Sequence, residues 1–450
     1  MNGKKTKEKE PKVKVPKEPK LKKQKTKEPK AQGIKRPNGV VYFFVYTFIY
    51  PVLKICYGLK SDRKGLKMPK GPYIVLSNHM TMHDFILVML AFYPRKLNAV
   101  AASKFFMYKP LHKFMPLMGC IPKNMFDPDV RSVMSIKSVL KRGDGVLLFP
   151  EGRCSSTHAY VGIHKATGKL IKKLGVPVIS SYLEGVNNCM AHWRKRTRFG
   201  RVRVTFRNLF SAEDLKELDV DEINAAIDLR LGGPELTTPP KKPFATYRAR
   251  KLADGLDQFL YFCPKCEQEF VTETDGNTIR CKACGFSAVL TRQGKLVVDK
   301  SFCREGEPAI IDDVTSWMKK QVQFTMKSVD ENMSLVLENV KVRTPVVGVP
   351  GGGTEESGLG NMRLDPEGWH FDGTIKGEAV SMFLPIDTLP AISYDHCDNF
   401  QLYHEGNFYI FIPEDPRPCF KYVIMTEGLH RRFASKVLLT PGVESGYFAD

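Results

Sequence analysis

No charge interrupts the run from Val40 to Leu53, VVYFFVYTFIYPVL, and aromatic side chains recur throughout it. As a helix these fourteen residues cover roughly 21 Å at about 1.5 Å per residue, short of a hydrocarbon core of about 30 Å. Extension to Leu59 takes in Lys54. The pattern therefore predicts a membrane-associated helical segment over 39–69, re-entrant or lying in the interface. A spanning helix and an ordinary buried helix remain open alternatives. A cleaved leader is not expected, because the charged stretch before it is long and no small-residue cleavage site follows.

Beyond this run the periodicity alternates between strand and helix. Short apolar runs at Tyr73–Leu76, Asn98–Ala102, Gly145–Phe149 and Val176–Tyr182 read as strands. Helical spacing or length marks 85–92, 131–141, 167–174 (closed by Gly175) and 212–231. Such alternation predicts an α/β domain over 70–232, a mixed sheet flanked by helices with its site at strand ends. A Gly- and Pro-rich linker is expected over 233–257. After about residue 310 short alternating runs separated by Asp-Pro-Glu-Gly, Asp-Gly and Glu-Gly-Asn turns predict a β-rich accessory domain to about 445. One helix at 420–433 ends it. A pleckstrin-homology-type module and a plain β domain both fit this texture. Gly348–Gly360 reads as a flexible insertion.

Composition changes the picture in two places. Hydrophobic content of 42% supports folded cores, and the net charge of +21 is unevenly spread. Residues 1–38 hold fifteen Lys and Arg against four Glu, or +11, leaving +10 for the other 412 residues. This Lys-rich tail has almost no apolar residues and is expected to be disordered. Because an apolar segment follows directly, anionic membrane lipids are its expected partner, ahead of nucleic acid. Of eleven cysteines, seven are scattered without framework spacing, which suggests a reducing compartment. The other four form Cys263-x2-Cys266 and Cys281-x2-Cys284, spaced for a four-thiolate zinc ribbon at 258–300. With all four positions cysteine, the expected Zn2+ is structural.

The candidate chemistry lies in two strings. Ser77-Asn78-His79-Met80-Thr81-Met82-His83-Asp84 puts a carboxylate five positions after a histidine, as a general base and its orienting acid require. Phe149-Pro150-Glu151-Gly152 follows an apolar strand and turns sharply, the kind of loop that presents N–H groups to an anion. With Gly175-Val176-Pro177-Val178, these strings stand in the order and spacing of glycerolipid acyltransferases. From about residue 70 to 210 the chain resembles the 1-acylglycerol-3-phosphate (lysophosphatidate) acyltransferase family.

The resemblance implies acyl transfer from acyl-CoA or acyl-carrier protein to the free hydroxyl of a lysophospholipid acceptor. His79 is then the base and Asp84 its partner. His83 ranks below His79, since its position does not match the family pattern. Asn78, Lys123, Glu151, Gly152 and Arg153 are the implied substrate-binding residues. Arg153 is shifted by one from the family's arginine, whose place Cys154 takes. Arg131 is an alternative to Lys123, while Lys104 and Lys165 fall where the family carries basic residues. No covalent intermediate is implied, and neither Cys154 nor Ser155 is marked as a nucleophile. Because thioester donors are cytosolic, the expected location is the cytoplasmic face of the cell membrane. A different lysolipid acceptor and a nucleic-acid-binding ribbon protein are the competing functional readings.

Overall fold

Asn38 starts the first helix by accepting from Val40 N (3.0 Å) and Val41 N (3.1 Å) through its side-chain oxygen. Helix α1 (Gly39–Tyr57) then runs until Gly58, whose left-handed conformation ends it. In this computed structural model the described residues are 33–125, 130–155, 160, 162–163, 166–232, 247–302, 310–395 and 397–435. Most of the Lys-rich tail, the Pro-rich part of the expected linker, Lys165 and Cys303 lie outside them.

One face of α1 packs on the body of the protein. Tyr42 is fully buried and donates to Met89 O (3.0 Å), and the Tyr46 and Tyr93 rings stack 3.8 Å apart. The opposite face does not fit the buried-helix alternative: Phe48 is 65% and Ile55 80% exposed, with Val40, Phe43, Phe44, Ile49 and Val52 also open. Its nineteen residues measure about 28 Å. The expected membrane-associated segment to residue 69 is too long. Leu59 is buried and β1 (Lys60–Asp62) already belongs to the main sheet.

That sheet is built from β1, β2 (Tyr73–Ser77), β3 (Leu97–Ala102), β4 (Ile121–Lys123), β5 (Gly145–Leu148), β6 (Val178–Glu184) and β7 (Arg203–Phe210). Its order is β1-β7-β6-β2-β5-β3-β4, parallel throughout except for the antiparallel β6–β7 pair. Central β2 is buried at every position, as expected of a parallel strand covered on both faces. Its side chains alternate between two cores. Tyr73 and Val75 meet α1 and α2 (Asp84–Ala91), whereas Ile74 and Leu76 meet helices of the other face. After α3 (Leu111–Leu117), those helices are α4 (Val130–Lys141) and α5 (Ala166–Leu174), then, beyond α6 (Val186–Cys189) and α7 (Asp214–Glu217), α8 (Val220–Gly232). The single helix expected over 212–231 is thus two, α7 and α8.

A second core follows. From Tyr247 onward the expected linker is packed, with Tyr247, Leu252, Ala253 and Leu256 buried. Helix α9 (Leu256–Phe259) precedes a four-stranded antiparallel ribbon of β8 (Thr272–Asp275), β9 (Thr278–Cys281), β10 (Ser287–Leu290) and β11 (Leu296–Val298). Helix α10 (Val314–Asp330), absent from the sequence reading, opens on a capping box between Asp313 and Ser316. The last sheet comprises β12 (Leu335–Pro345), β13 (Thr354–Leu364), β14 (Gly368–Ile375), β15 (Glu378–Pro385), β16 (Ser393–Asp395), β17 (Asn399–His404) and β18 (Asn407–Ile412), and α11 (Cys419–Ser435) closes the chain. The order is β15-β14-β13-β12-β18-β17-β16, antiparallel at each pair. The expected flexible insertion is half strand, since β13 begins at Thr354. The rest is a docked turn, with Gly353 N donating to Met107 O (2.9 Å) and Lys109 N to Gly351 O (3.2 Å).

Ribbon and β-rich region are not separate domains. Phe259, Ile279, Phe286, Trp317, Trp369, Phe411, Phe420 and Leu429 belong to one buried cluster, which also takes in Ala191 and Trp193.

Candidate active site and metal centre

Parallel strands deliver their carboxyl ends to one edge of a sheet. At that edge β2 leads into His79, β5 into Glu151, β3 into Lys104, and outermost β4 ends at Lys123. His79 Nδ1 lies 3.0 Å from Oδ2 of Asp84, the first residue of α2 and fully buried. That oxygen also accepts from Met80 N (2.5 Å) and Thr81 N (2.9 Å), while Oδ1 accepts from Thr81 Oγ1 (2.8 Å). A carboxylate held by so many donors can only accept, so Nδ1 carries the hydrogen and Nε2 faces outward. His83 is exposed just before α2.

The glutamate loop grips the backbone of His79. Glu151 Oε1 accepts from His79 N (2.6 Å), Ser155 N donates to His79 O (2.9 Å), and the Phe149 and His79 rings stack 4.2 Å apart. Gly152 makes the turn at φ +71, a conformation that suits glycine. Glu151 was expected at the substrate. Its carboxylate oxygen instead fixes the histidine's backbone. The loop also rests Cys154 Sγ against the imidazole, 3.5 Å from Nε2 and 3.8 Å from Nδ1.

Asn78 is a correction of the same kind. It is fully buried, and its amide donates to Leu183 O (3.0 Å) and accepts from Leu183 N (2.7 Å). It continues the β2–β6 ladder by one side-chain rung and offers nothing to a ligand.

Charge at the site comes partly from far along the chain. Arg153, the expected phosphate clamp, is ion-paired with Glu427 of α11, itself 1% exposed. Lys104 donates to Gln401 of β17 (2.5 Å), and burial pulls its pKa down against the opposing pull of Asp395 and Cys154. His192 Nε2 bonds to Met80 O (2.6 Å), and its ring faces Tyr394 of β16 at 5.9 Å. For His79 itself, burial disfavours the charged form, but Cys154 and Asp84 together outweigh it and hold the pKa well above the ordinary 6.5. Cys154, His192, Gln401 and Glu427 were not singled out as functional from the sequence. No local pattern marks residues that meet His79 and its loop only through the fold.

Elsewhere, Cys263, Cys266, Cys281 and Cys284 converge with all four sulfurs within 4.8 Å. Each Cys-x2-Cys bends into a knuckle. Glu267 N bonds back to Cys263 O (3.0 Å) and Gly285 N to Cys281 O (3.0 Å), both residues at positive φ. Burial pushes the Cys263 and Cys266 thiols above their ordinary pKa, whereas at Cys284 burial is outweighed by hydrogen bonds from Phe286 and the neighbouring cysteines, which pull it down. This cluster can hold a metal ion.

Residues 60–184 match the family model described as Acyltransferase. A chloroplastic 1-acyl-sn-glycerol-3-phosphate acyltransferase of Brassica napus is 27% identical over 137 residues, which is 29% of this chain and 39% of the relative. The chain thus matches well under half the length of that protein. The crystal structure of the 1-acyl-sn-glycerophosphate (LPA) acyltransferase from Thermotoga maritima gives a TM-score of 0.36 at 17% identity, covering 42% of this chain and 75% of that one. Over residues 60–184 the chain carries an acyltransferase domain, similar to that of 1-acylglycerol-3-phosphate acyltransferases.

Proposed function

We propose that the protein transfers an acyl group from acyl-CoA or acyl-carrier protein to the free hydroxyl of 1-acylglycerol-3-phosphate, giving phosphatidate at a membrane surface. The observation that carries the reading is the His79–Asp84 pair at the carboxyl ends of β2 and β5, clasped by the glutamate loop. His79 moves the proton, Asp84 holds the imidazole and its charge, and Lys123 and Arg153 at the same sheet edge are the cations for the phosphate. The exposed aromatic face of α1 lies in the cytoplasmic leaflet, and the Lys-rich sequence that precedes it carries charge suited to anionic headgroups.

The cysteine cage holds Zn2+ as a structural ion. Bonds of about 2.3 Å set tetrahedral sulfurs about 3.8 Å apart. The Cys263–Cys284 and Cys266–Cys281 sulfurs are 3.7 Å apart. One observation favours a second reading, another lysolipid as acceptor: the Arg153 guanidinium is ion-paired with buried Glu427. Acyl transfer in vesicles, with lysophosphatidate against a zwitterionic lysolipid, both donors and His79→Ala alongside, tests these readings. Phosphatidate from wild type but not from the variant is expected. Product from the zwitterionic lysolipid alone selects the second reading, and no product from any pair refutes both.

A further inference from the structure

Glu427 lies outside the acyltransferase domain, yet it holds a cation of that domain's glutamate loop. It sits on α11, 274 residues after Arg153, and its carboxylate is ion-paired with the Arg153 guanidinium. The two side chains are only 1% and 14% exposed. Cys154, the next residue after Arg153, rests against the His79 imidazole, so the ion pair stands beside the reacting centre. One helical turn beyond Glu427, at i+4, Arg431 shares its face of α11. Burial disfavours the Arg431 charge, Glu427 favours it and Arg153 opposes it, so all three groups lie within one another's field. Two guanidiniums thus share one carboxylate. We propose, resting on the acyltransferase reading above, that Glu427 selects the acceptor: it competes with the acceptor's phosphate for Arg153, and passes to Arg431 when a phosphate takes its place.

The cost of stranding a buried charge explains why both residues are needed. Arg153 serves a phosphate only by giving up Glu427, and a buried carboxylate left alone is strongly destabilising. Arg431 lowers that barrier, because it offers Glu427 a second cation on the same helix. The helix itself is seated at the site. Tyr394 of β16 packs on Phe420 of α11 with ring centroids 5.7 Å apart, and lies 5.9 Å from His192, which bonds Met80 O beside His79.

Selection follows from charge. A dianionic phosphate on Arg153 meets the Glu427 carboxylate at close range, which opposes its binding. A zwitterionic headgroup gives its phosphate to Arg153 and its ammonium to Glu427. Glu427 therefore biases the site against lysophosphatidate and toward a zwitterionic lysolipid, and the bias is carried by α11 rather than by the acyltransferase domain.

The test uses the full-length protein, oleoyl-CoA and two acceptors in the same neutral detergent, lysophosphatidate and a lysolipid with a phosphocholine headgroup. The readout is the ratio of their kcat/KM values, which does not depend on the fraction of folded enzyme. Glu427→Gln is expected to raise the ratio in favour of lysophosphatidate by about tenfold or more, through the acceptor KM. Arg431→Gln is expected to lower it, because Glu427 then keeps Arg153, while Arg431→Lys stays within about twofold of wild type. If Glu427→Gln does not fold, the Arg431 pair decides alone. Where wild type turns over lysophosphatidate only, its KM carries the test, falling in Glu427→Gln and rising in Arg431→Gln. Turnover whose acceptor preference ignores both substitutions, or shifts the same way in both, overturns the proposal and leaves the acyltransferase reading standing. If wild type releases no CoA with either acceptor, that reading falls and this one with it.

Discussion

Asn78→Ala separates a structural amide from a substrate ligand. The Asn78 side chain meets both backbone groups of Leu183, at 3.0 and 2.7 Å, and Leu183 is 2% exposed. Truncation leaves one buried N–H and one buried C=O without their partner, at about 1–3 kcal/mol each, or about 2–6 kcal/mol together. That is a large share of a total of about 5–15 kcal/mol. At about 1 °C per kcal/mol for a chain of 450 residues, the melting temperature should fall by about 2–6 °C. The assay pairs a thermal melt followed by circular dichroism with acyl transfer well below the variant's transition. There the acceptor KM is expected to stay within about twofold of wild type, since the amide does not reach a ligand. An unchanged melting temperature with a tenfold rise in acceptor KM would refute the reasoning and return Asn78 to the substrate.

Three other outcomes are expected. Purified protein should hold one zinc per chain, and stripping it should cost about 4 kcal/mol where free metal stood about 1,000-fold above Kd; metal analysis showing none in the reduced protein removes the ribbon assignment. Changing Phe44, Phe48 and Ile55 to Ser together should cut partitioning onto anionic vesicles roughly hundredfold, for about 3 kcal/mol of apolar burial lost, and unchanged binding in a flotation assay would move the membrane contact elsewhere. Because the His79 pKa is raised in the folded state, its charged form adds stability that is fully present below about pH 6.5 and lost as pH rises through the folded value; the melting-temperature gap between wild type and His79→Gln should therefore shrink as pH rises from about 6.5, and a constant gap contradicts the charge assignment.

What could be read from the sequence was what is local. His79 and Asp84 are five positions apart, so a turn alone brings them together, and each Cys-x2-Cys closes a knuckle by itself. The strand–helix alternation of the catalytic region is local in the same sense. Asn78 looks like a ligand in sequence because its partner, Leu183, lies 105 residues away. Larger separations, 274 and 297 residues, hide Glu427 from Arg153 and Gln401 from Lys104. Helix α10 escaped notice within a stretch read as strands, although its Asp313–Ser316 box is a helix-start signal.

The β-rich region reaches the site directly and the ribbon shares the core beneath it, so both are more than additions to the acyltransferase domain. Trp193, just past α6, packs on Phe259 with ring centroids 4.9 Å apart, and Phe259 sits four residues before Cys263. Its neighbour His192 holds Met80 O, next to His79. From the other side, α11 sends Glu427 to Arg153, and β17 sends Gln401 to Lys104. Each contact is a short-range packing or hydrogen-bond link, and together they join the cysteine cage to the histidine loop without a break. A metal that orders the knuckles therefore orders the shared core, and that core sets where Met80, and with it the His79 loop, can sit. In such an arrangement the ribbon bears on the His79 loop without touching it, because the groups that flank the loop are carried on the core that the ribbon shares.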